Sequence, residues 1–298
     1  MSEKQRVLVA CDLSESADEA IRQADAWARE HDAELFVCHV IPDMVMTNPL
    51  FPQRTEGEAV GFVELAGTAV ERLHERIGEL TGRAEGDYEV LIASGQAAPA
   101  LLREADDIHA SMIVVGSRGM SGIERLLLGD VARKIVRYAT VPVLVARPVQ
   151  KKGMVLAATD FSDPALPALL EAASIARARG ARLGLVHCIE MAPDPAVALS
   201  APFGGGWSGP PPEVYDSARS AAESMLRDTA ERLHAEAEVF AEVGNAARTI
   251  IDTAERTQAE LLVIGTHGRT GISRLLLGSV AEKVVRGAPC SVLVVRLK

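Results

Sequence analysis

The chain has 298 residues, which is enough for one large domain or for two domains of about 150 residues each. Its net charge of −10 argues against nucleic acid as the main partner, because affinity for a phosphate backbone comes mostly from Lys and Arg. The first residues are polar and the longest apolar runs are too short to cross a bilayer, so we expect a cytoplasmic protein that binds neither membrane nor nucleic acid. The four cysteines form no C-x-x-C pair and lie in or beside apolar runs, which favours buried free thiols in a reducing compartment.

Apolar runs alternate with helical patterns throughout the first half of the chain. Short runs of Val, Leu and Ile predict buried strands, and apolar residues at helical spacing predict the helices between them. In chain order we predict a strand at 6–12, a helix that begins behind Ser14 or Ser16, a strand at 35–41, a helix at 58–81, a strand at 89–93, a helix at 97–110, a strand at 112–116, a helix at 130–138 and a strand at 141–146.

The second half of the chain repeats the first. The apolar run that begins at Val7 recurs from Val155, and the run that ends at Gly116 recurs with its end at Gly265, so the halves differ by one net insertion. Residues 148–153 form a short polar stretch between the two copies. We therefore expect two domains, at residues 1–148 and 153–298.

This order of elements predicts the fold class. Strands that alternate with helices form parallel sheets covered on both faces, joined by right-handed crossovers. We expect an α/β chain with two tandem, doubly wound parallel sheets. Ligands of such sheets bind beyond the carboxyl ends of the strands, where the strand order reverses. The Asp that ends the first strand of each half and the glycine-rich segment after the fourth strand both belong to that edge.

Residues 191–212 of the second half are rich in Gly and Pro, which predicts a loop that forms neither helix nor strand. Its aromatic residues Phe203 and Trp207 have two interpretations. They form a lid or a stacking surface over a bound base, or they pack on the domain surface, and we favour the second interpretation.

The glycine-rich segment of the second half has the pattern of a phosphate site. Gly265 and Gly268 are followed, after nine residues, by Gly278 and Ser279. Glycines let the backbone approach a ligand, and free N–H groups at the start of the next helix attract an anion. The alternative is a structural connection in which Ser279 caps the helix. Because two copies occur at matched positions, we favour a binding site, to which His267 adds a donor or a charge.

The first half differs at one position of this pattern. Gly116, Gly119 and Gly129 keep the spacing, but Asp130 stands where the second half has Ser279. An Asp caps a helix as well as a Ser does, so we expect the fold to survive. A carboxylate there would repel a polyphosphate and occupy the helix N–H groups. We expect the first site to be empty or weakened; the alternative is a neutral or cationic ligand.

Together these features resemble the universal stress protein family. The resemblance rests on the G-x2-G-x9-G-[S/T] pattern after the fourth strand, the Asp after the first strand and a last strand of P-V-L-V type, and it covers nearly the whole chain, twice. It implies an adenine nucleotide alpha hydrolase-like fold with five-stranded sheets of order 3-2-1-4-5. It also implies an internal pseudo-dimer, with residues 141–146 beside 292–296. Whether two chains associate into a further homodimer stays open.

The resemblance implies an adenine nucleotide as ligand, with ATP as the cofactor and Mg²⁺ as its optional companion. Asp160 would contact the ribose or adenine, and the backbone at Cys188 would meet adenine. Asp130 departs from the pattern and puts ATP binding by the first half in doubt. The residues implied to hold the phosphates are Gly265, His267, Gly268, Gly278, Ser279 and Val280, and the weaker candidates of the first half are Asp12, Val40, Gly116, Gly119 and Gly129.

The sequence offers no clear catalytic group. The GxxxxGK[ST] and G-x-S-x-G patterns are absent, and the seven histidines show no metal-ligand spacing. His39 and His187 lie at equivalent strand ends, which favours packing or loop tethering over catalysis. We therefore expect an ATP-binding stress or signalling protein, with the nucleotide mainly in the second half and a protein partner still to be identified. A slow ATP hydrolase and a nucleotide-free dimerisation scaffold are the alternatives.

Overall fold

The computed structural model describes residues 4–42, 56–117, 128–148, 153–190, 211–266 and 277–296, with the helix backbone alone at 56–62. By its contacts the chain divides into two units. The first includes Met1–Pro148 and Ser291–Arg296, and the second includes Val149–Ile272 and Gly278–Cys290. The predictions for these residues lie outside the described ranges: Gly119, Phe203, Trp207, His267 and Gly268.

Strands and helices alternate in the first half as predicted, with bounds that differ by a few residues. The elements are β1 (Arg6–Ala10), α1 (Glu15–Glu30), β2 (Glu34–Ile41), α2 (Glu56–Thr81), β3 (Glu89–Ser94), α3 (Ala97–Asp107), β4 (Met112–Gly116), α4 (Asp130–Tyr138) and β5 (Val143–Ala146).

The second half repeats this order, and a short 3-10 turn, Asp163–Ala165, precedes its first helix. None of the helices in the described ranges is both long and apolar enough to cross a membrane. The elements are β6 (Met154–Ala158), α5 (Leu166–Arg179), β7 (Arg182–Ile189), α6 (Pro212–Arg232), β8 (Ala237–Val243), α7 (Ala246–Arg256), β9 (Leu261–Gly265), α8 (Ser279–Gly287) and β10 (Ser291–Val295).

The strands of the first unit follow the order β3-β2-β1-β4-β5-β10. β1 to β5 run parallel to their neighbours, so that Leu8 lies opposite both Phe36 and Ile113. β10 runs antiparallel to β5, with Leu293 opposite Leu144. These pairs confirm the predicted order 3-2-1-4-5 for the first half, and they confirm the predicted pairing of the two last strands.

The second unit has the strand order β9-β6-β7-β8, again parallel, with Val155 opposite both Leu183 and Leu261. This order repeats β4-β1-β2-β3 of the first unit and confirms the doubly wound α/β prediction. In each unit the strand order reverses beside the first strand of the half. The segments after β1 and β4, and those after β6 and β9, therefore meet at the edge where such sheets bind ligands.

The strands are buried because helices cover both faces of each sheet. Val7, Leu8 and Val9 are fully buried at 0% exposure, as expected for parallel strands that read as continuous apolar runs. The helix α1 buries a stripe that includes Ile21 and Trp27 against this sheet and begins at Ser14, which accepts a hydrogen bond from the third amide of the helix at 3.3 Å.

Two buried carboxylates of α1 bind α2 and the segment that follows α2 in the first unit, and sequence periodicity did not predict them. Asp18 accepts two hydrogen bonds from Arg76, and Asp25 accepts from Arg83. The side chains of Asp18 and Asp25 are 6% and 11% exposed, so both charges lie almost out of water. Arg29 adds bonds of 2.9 and 3.1 Å to Asp25, which satisfies its carboxylate further. Buried charges of this kind persist because they are paired.

Candidate functional site

The second unit contains a cavity of about 520 Å³ at the carboxyl ends of β6, β7 and β9. Two helices, α7 and α8, contribute their first turns to its wall. The cavity lies at the reversal of strand order, where the alternation of elements predicted a ligand site. Every predicted nucleotide contact of the second half within the described residues lines this cavity, namely Asp160, Cys188, Gly265, Gly278, Ser279 and Val280.

Asp160 shapes the turn that leaves β6. Its Oδ1 accepts hydrogen bonds from the amide of Ser162 at 3.0 Å and from the hydroxyl of Ser162 at 2.5 Å. Between them Phe161 has a φ of 61°, a left-handed conformation that a bulky residue rarely adopts. Asp12 and Ser14 make the same pair of bonds after β1, at 3.1 and 2.5 Å. The Asp that ends the first strand therefore fixes a turn at the ligand edge in both halves.

The two equivalent histidines hold the same turn from the neighbouring strand. The Nδ1 of His187 lies 2.8 Å from the carbonyl oxygen of Thr159, and the Nδ1 of His39 lies 2.8 Å from that of Cys11. A carbonyl oxygen only accepts, so Nδ1 donates in both cases. The ring of His187 also packs 4.3 Å from that of Phe161. These contacts confirm the predicted tethering role.

The start of α8 forms the end of the cavity where the sequence predicted phosphate contacts. Gly278 is the residue that precedes the helix, and Ser279 is the first helical residue. The amide of Gly278 donates to the carbonyl oxygen of Thr266 at 2.8 Å. A Cβ at Gly278 would lie 3.0 Å from that oxygen. Within the described residues no side chain caps this helix. Free amides at a helix start, together with the positive end of the helix dipole, form an anion site.

Asp130 occupies the matching position of α4, but its side chain does not behave as expected. Its carboxylate accepts hydrogen bonds from Arg133 at 2.5 Å and from Lys134 at 2.7 Å. The bond from Lys134 and then that from Arg133 hold the pKa of Asp130 below its ordinary value. We expected this carboxylate to cap the helix and occupy its N–H groups, and that prediction was wrong. Gly129 is the residue before the helix, so Asp130 sits one position too late to cap and turns to the cations three and four residues on.

The first unit has its own cavity, of about 220 Å³, at the equivalent edge of the sheet. Its volume falls below the range of about 300–1,000 Å³ that is typical of small-molecule sites. Gly116 has a structural reason to be glycine there, because a Cβ would lie 2.6 Å from the backbone oxygen of Ser16 on α1. The cavity brings together the weaker candidates Asp12, Val40, Gly116 and Gly129, with Asp130 beside them.

The thiols near both sites stay protonated at neutral pH. Burial raises the pKa of Cys11 to about 11 and that of Cys38 to about 12. Burial also raises the pKa of Cys188, although this side chain is only half-buried. The prediction of buried free thiols is confirmed for Cys11, Cys38 and Cys290, whereas Cys188 opens onto the cavity. In the described part of the chain, His, Cys, Asp and Glu form no group of three that could hold a metal ion.

Glu190 is a cavity residue that sequence reasoning missed. It follows β7 and its Oε1 accepts a hydrogen bond from the amide of Ala246, the first residue of α7, at 3.1 Å. Cys188 donates from its Sγ to the carbonyl oxygen of Gly244 at 3.0 Å. The internal repeat contains a signal for both contacts. The first half has Val40 and Pro42 at the positions of Cys188 and Glu190, and neither of these side chains can make a hydrogen bond.

The fold and its two equivalent cavities define a tandem α/β protein with candidate ligand sites at the carboxyl ends of its strands. The sequence model of the Universal stress protein family matches residues 4–147 and again residues 154–296. The chain therefore belongs to the universal stress protein family, and this membership supports a role in the stress response.

Known proteins that match the whole chain or one half of it support the assignment. A universal stress protein of Mycolicibacterium smegmatis is 30% identical over 298 residues, covering 97% of this chain and 96% of that protein. Universal stress protein YxiE of Bacillus subtilis is 34% identical over 149 residues, which is 48% of this chain and 98% of YxiE. The crystal structure of a universal stress protein from Archaeoglobus fulgidus has a TM-score of 0.67 with 20% identity and covers 98% of this chain and 96% of that one, which shows the shared fold.

Proposed function

We propose that this chain is an ATP-binding stress or signalling protein whose nucleotide binds mainly to the second of two domains, residues 1–148 and 153–298. The observation that carries the proposal is the cavity of about 520 Å³, which is lined by every predicted contact of the second half that the structure describes. Its volume lies inside the range of about 300–1,000 Å³ of small-molecule sites. The four free cysteines support a cytoplasmic location, where thiols stay reduced.

The start of α8 supports polyphosphate as the charged part of the ligand. Its amides lie at the cavity, and the hydroxyl of Ser279 can donate to a phosphate oxygen while Gly278 leaves the approach open. A helix start favours negative charge by about 0.3–1 kcal/mol at an exposed site. His267 and Gly268 would complete the phosphate contacts, and Mg²⁺ would accompany the phosphates.

The turn after β6 supports a nucleoside at the other end. Asp160 has its Oδ1 fixed by Ser162, so the position of its carboxylate at the cavity is set before a ligand arrives. Ribose hydroxyls donate to carboxylates in the related doubly wound dinucleotide sites. The backbone at Cys188, at the end of β7, would face the adenine. Nucleotide occupancy would then alter a surface that a protein partner recognises.

The proposal is tested by ATP titration calorimetry of Ser279→Asp. This variant places in the second half the aspartate that the first half has at the matching position, Asp130. We expect ATP binding to be lost, because the added carboxylate opposes the phosphates and has Glu282 at the position where Asp130 has Arg133 as a partner. Ser220→Asp is a control that makes the same change at an exposed residue of α6, away from the cavity lining, and it should keep wild-type affinity. Unchanged affinity of Ser279→Asp would overturn the assignment of this cavity.

A further inference from the structure

The turn between β8 and α7 leads into the helix that lines one wall of the second cavity, and its backbone matches the turn between β3 and α3 of the first unit. Gly244 has a φ of 156° and donates its amide to Ile189 at 3.2 Å. Gly95 has a φ of 111° and donates its amide to Ile41 at 3.1 Å. Both turns therefore use a glycine where the backbone needs a positive φ, and the strands hold them in the same way.

The side chains that reach these two turns differ. In the second unit the Sγ of Cys188 donates to Gly244 at 3.0 Å, and Oε1 of Glu190 accepts from Ala246 at 3.1 Å. The amide of Ala246 is one of the first amides of α7, which have no partner inside the helix. A carboxylate at a helix start also gains from the helix dipole. Val40 and Pro42 stand at the two positions in the first half, and neither side chain can make a hydrogen bond.

The helix that follows the anchored turn carries cavity residues. Ala246 and Ile250, in the first turns of α7, line the cavity of about 520 Å³. Their counterparts on α3, Ala97 and Leu101, line the cavity of about 220 Å³. The same wall is thus present in both halves, and the cavity is wider in the half where side chains fix the turn.

We propose that Glu190, together with Cys188, is a positioning residue that fixes the α7 wall and thereby sets affinity for the nucleoside part of the ligand. This inference rests on the proposed function, since it assigns the α7 wall to the base side of the nucleotide cavity. Glu190 acts through Ala246 and does not need to touch the ligand. The phosphate contacts at Ser279 belong to another helix, so their strength is independent of this wall.

The experiment measures the dissociation constants of ATP and of inorganic tripolyphosphate for full-length variants by calorimetry. Loss of an acceptor at a helix start is worth about 1 kcal/mol, so Glu190→Ala should weaken ATP binding about fivefold. Glu190→Gln keeps an oxygen that accepts from Ala246 and should stay within about twofold of the wild type. Tripolyphosphate has no nucleoside, and its affinity should be the same for all three proteins.

Two controls separate positioning from general damage. Glu213→Ala removes a carboxylate from the first turn of α6, away from the cavity lining, and should bind ATP as the wild type does. Hydrogen exchange at the amide of Ala246 should speed up in Glu190→Ala and stay protected in Glu190→Gln.

The outcomes distinguish this inference from the proposed function. If the wild type binds no ATP, the proposed function fails, and exchange at Ala246 still decides whether Glu190 fixes the turn. If the wild type binds ATP and Glu190→Ala binds it equally well, the inference is overturned while the proposed function stands. An equal loss of ATP and tripolyphosphate affinity would also overturn it, because the effect would not be confined to the nucleoside side.

Discussion

The buried ion pair between Asp25 of α1 and Arg83, which follows α2, allows a quantitative test of how the first unit is stabilised. Arg83→Met removes one partner of Asp25, whose side chain is 11% exposed, while the side chain of Arg83 is itself 13% exposed. Removing one partner of a buried pair costs about 3–5 kcal/mol when it leaves the other charge unpaired. Arg29 keeps its two bonds to Asp25 at 2.9 and 3.1 Å, so we expect a smaller loss of about 2–3 kcal/mol.

A double variant separates pairing from packing. The double variant Asp25→Ala, Arg83→Met removes both charges. Alanine is also the residue that the second half has at the position matching Asp25, namely Ala173. No buried charge is then left without its partner, so we expect a loss of only about 1 kcal/mol. The two single variants and the double variant form a cycle whose coupling energy reports the pair.

The assay is urea unfolding followed by the fluorescence of Trp27, which lies on α1 and is 5% exposed. Trp207→Phe serves as the common background, because Trp27 and Trp207 are the two tryptophans of the chain. A transition read from Trp27 reports the unit that contains the ion pair. Equal midpoints for Arg83→Met and the double variant would refute the reasoning, since they would show that the lost stability comes from packing and not from an unpaired carboxylate.

Three further predictions concern the ligand sites. Asp130→Ser should leave the stoichiometry at about one ATP per chain by native mass spectrometry, because a cavity of about 220 Å³ is still too small; a second bound ATP would contradict this. Burial raises the thiol pKa of Cys11 and Cys38 above 9.0 in the folded chain. As pH rises above 9.0, these thiols lose their protons in the unfolded chain before they do in the folded chain. The free energy of unfolding therefore falls between that pH and the raised pKa values. Cys11→Thr with Cys38→Val should flatten this alkaline loss of the urea midpoint, and an unaltered slope would count against it. ATP at a hundred times its dissociation constant should stabilise the second unit by about 2.7 kcal/mol in thermal unfolding, whereas a nucleotide-free scaffold would show no shift.

The architecture could be predicted because it depends on local patterns that occur twice. The apolar runs at β1 and β6, and the glycines that follow β4 and β9, each fix one element and its place at the ligand edge. The pairing of Leu144 with Leu293 followed from the family resemblance. These features need no knowledge of which side chains meet across the fold.

The contacts that were missed join residues far apart in sequence. Asp18 and Arg76 lie on different helices, and neither helical pattern indicates that a carboxylate will face a guanidinium in the interior. Glu190 reads as an ordinary polar residue at a strand end until the fold places the amide of Ala246 beside it. The predicted cap at α4 was wrong because of a shift of one residue. Gly129 holds the capping position, and Asp130 is already inside the helix.

The prediction of a weaker site in the first half therefore needs a new physical reason. Asp130 is accompanied by Arg133 and Lys134, which pair with it, whereas Ser279 is followed at the first of these positions by Glu282. The net side-chain charge in the first turns of α4 is no more negative than that in the first turns of α8. Repulsion by one carboxylate therefore does not by itself weaken the first site. The size of the cavity differs more than the charge does, at about 220 against 520 Å³. If the first half binds nucleotide poorly, the cause is then the narrower cavity, and restoring a serine at the helix start leaves that cause in place.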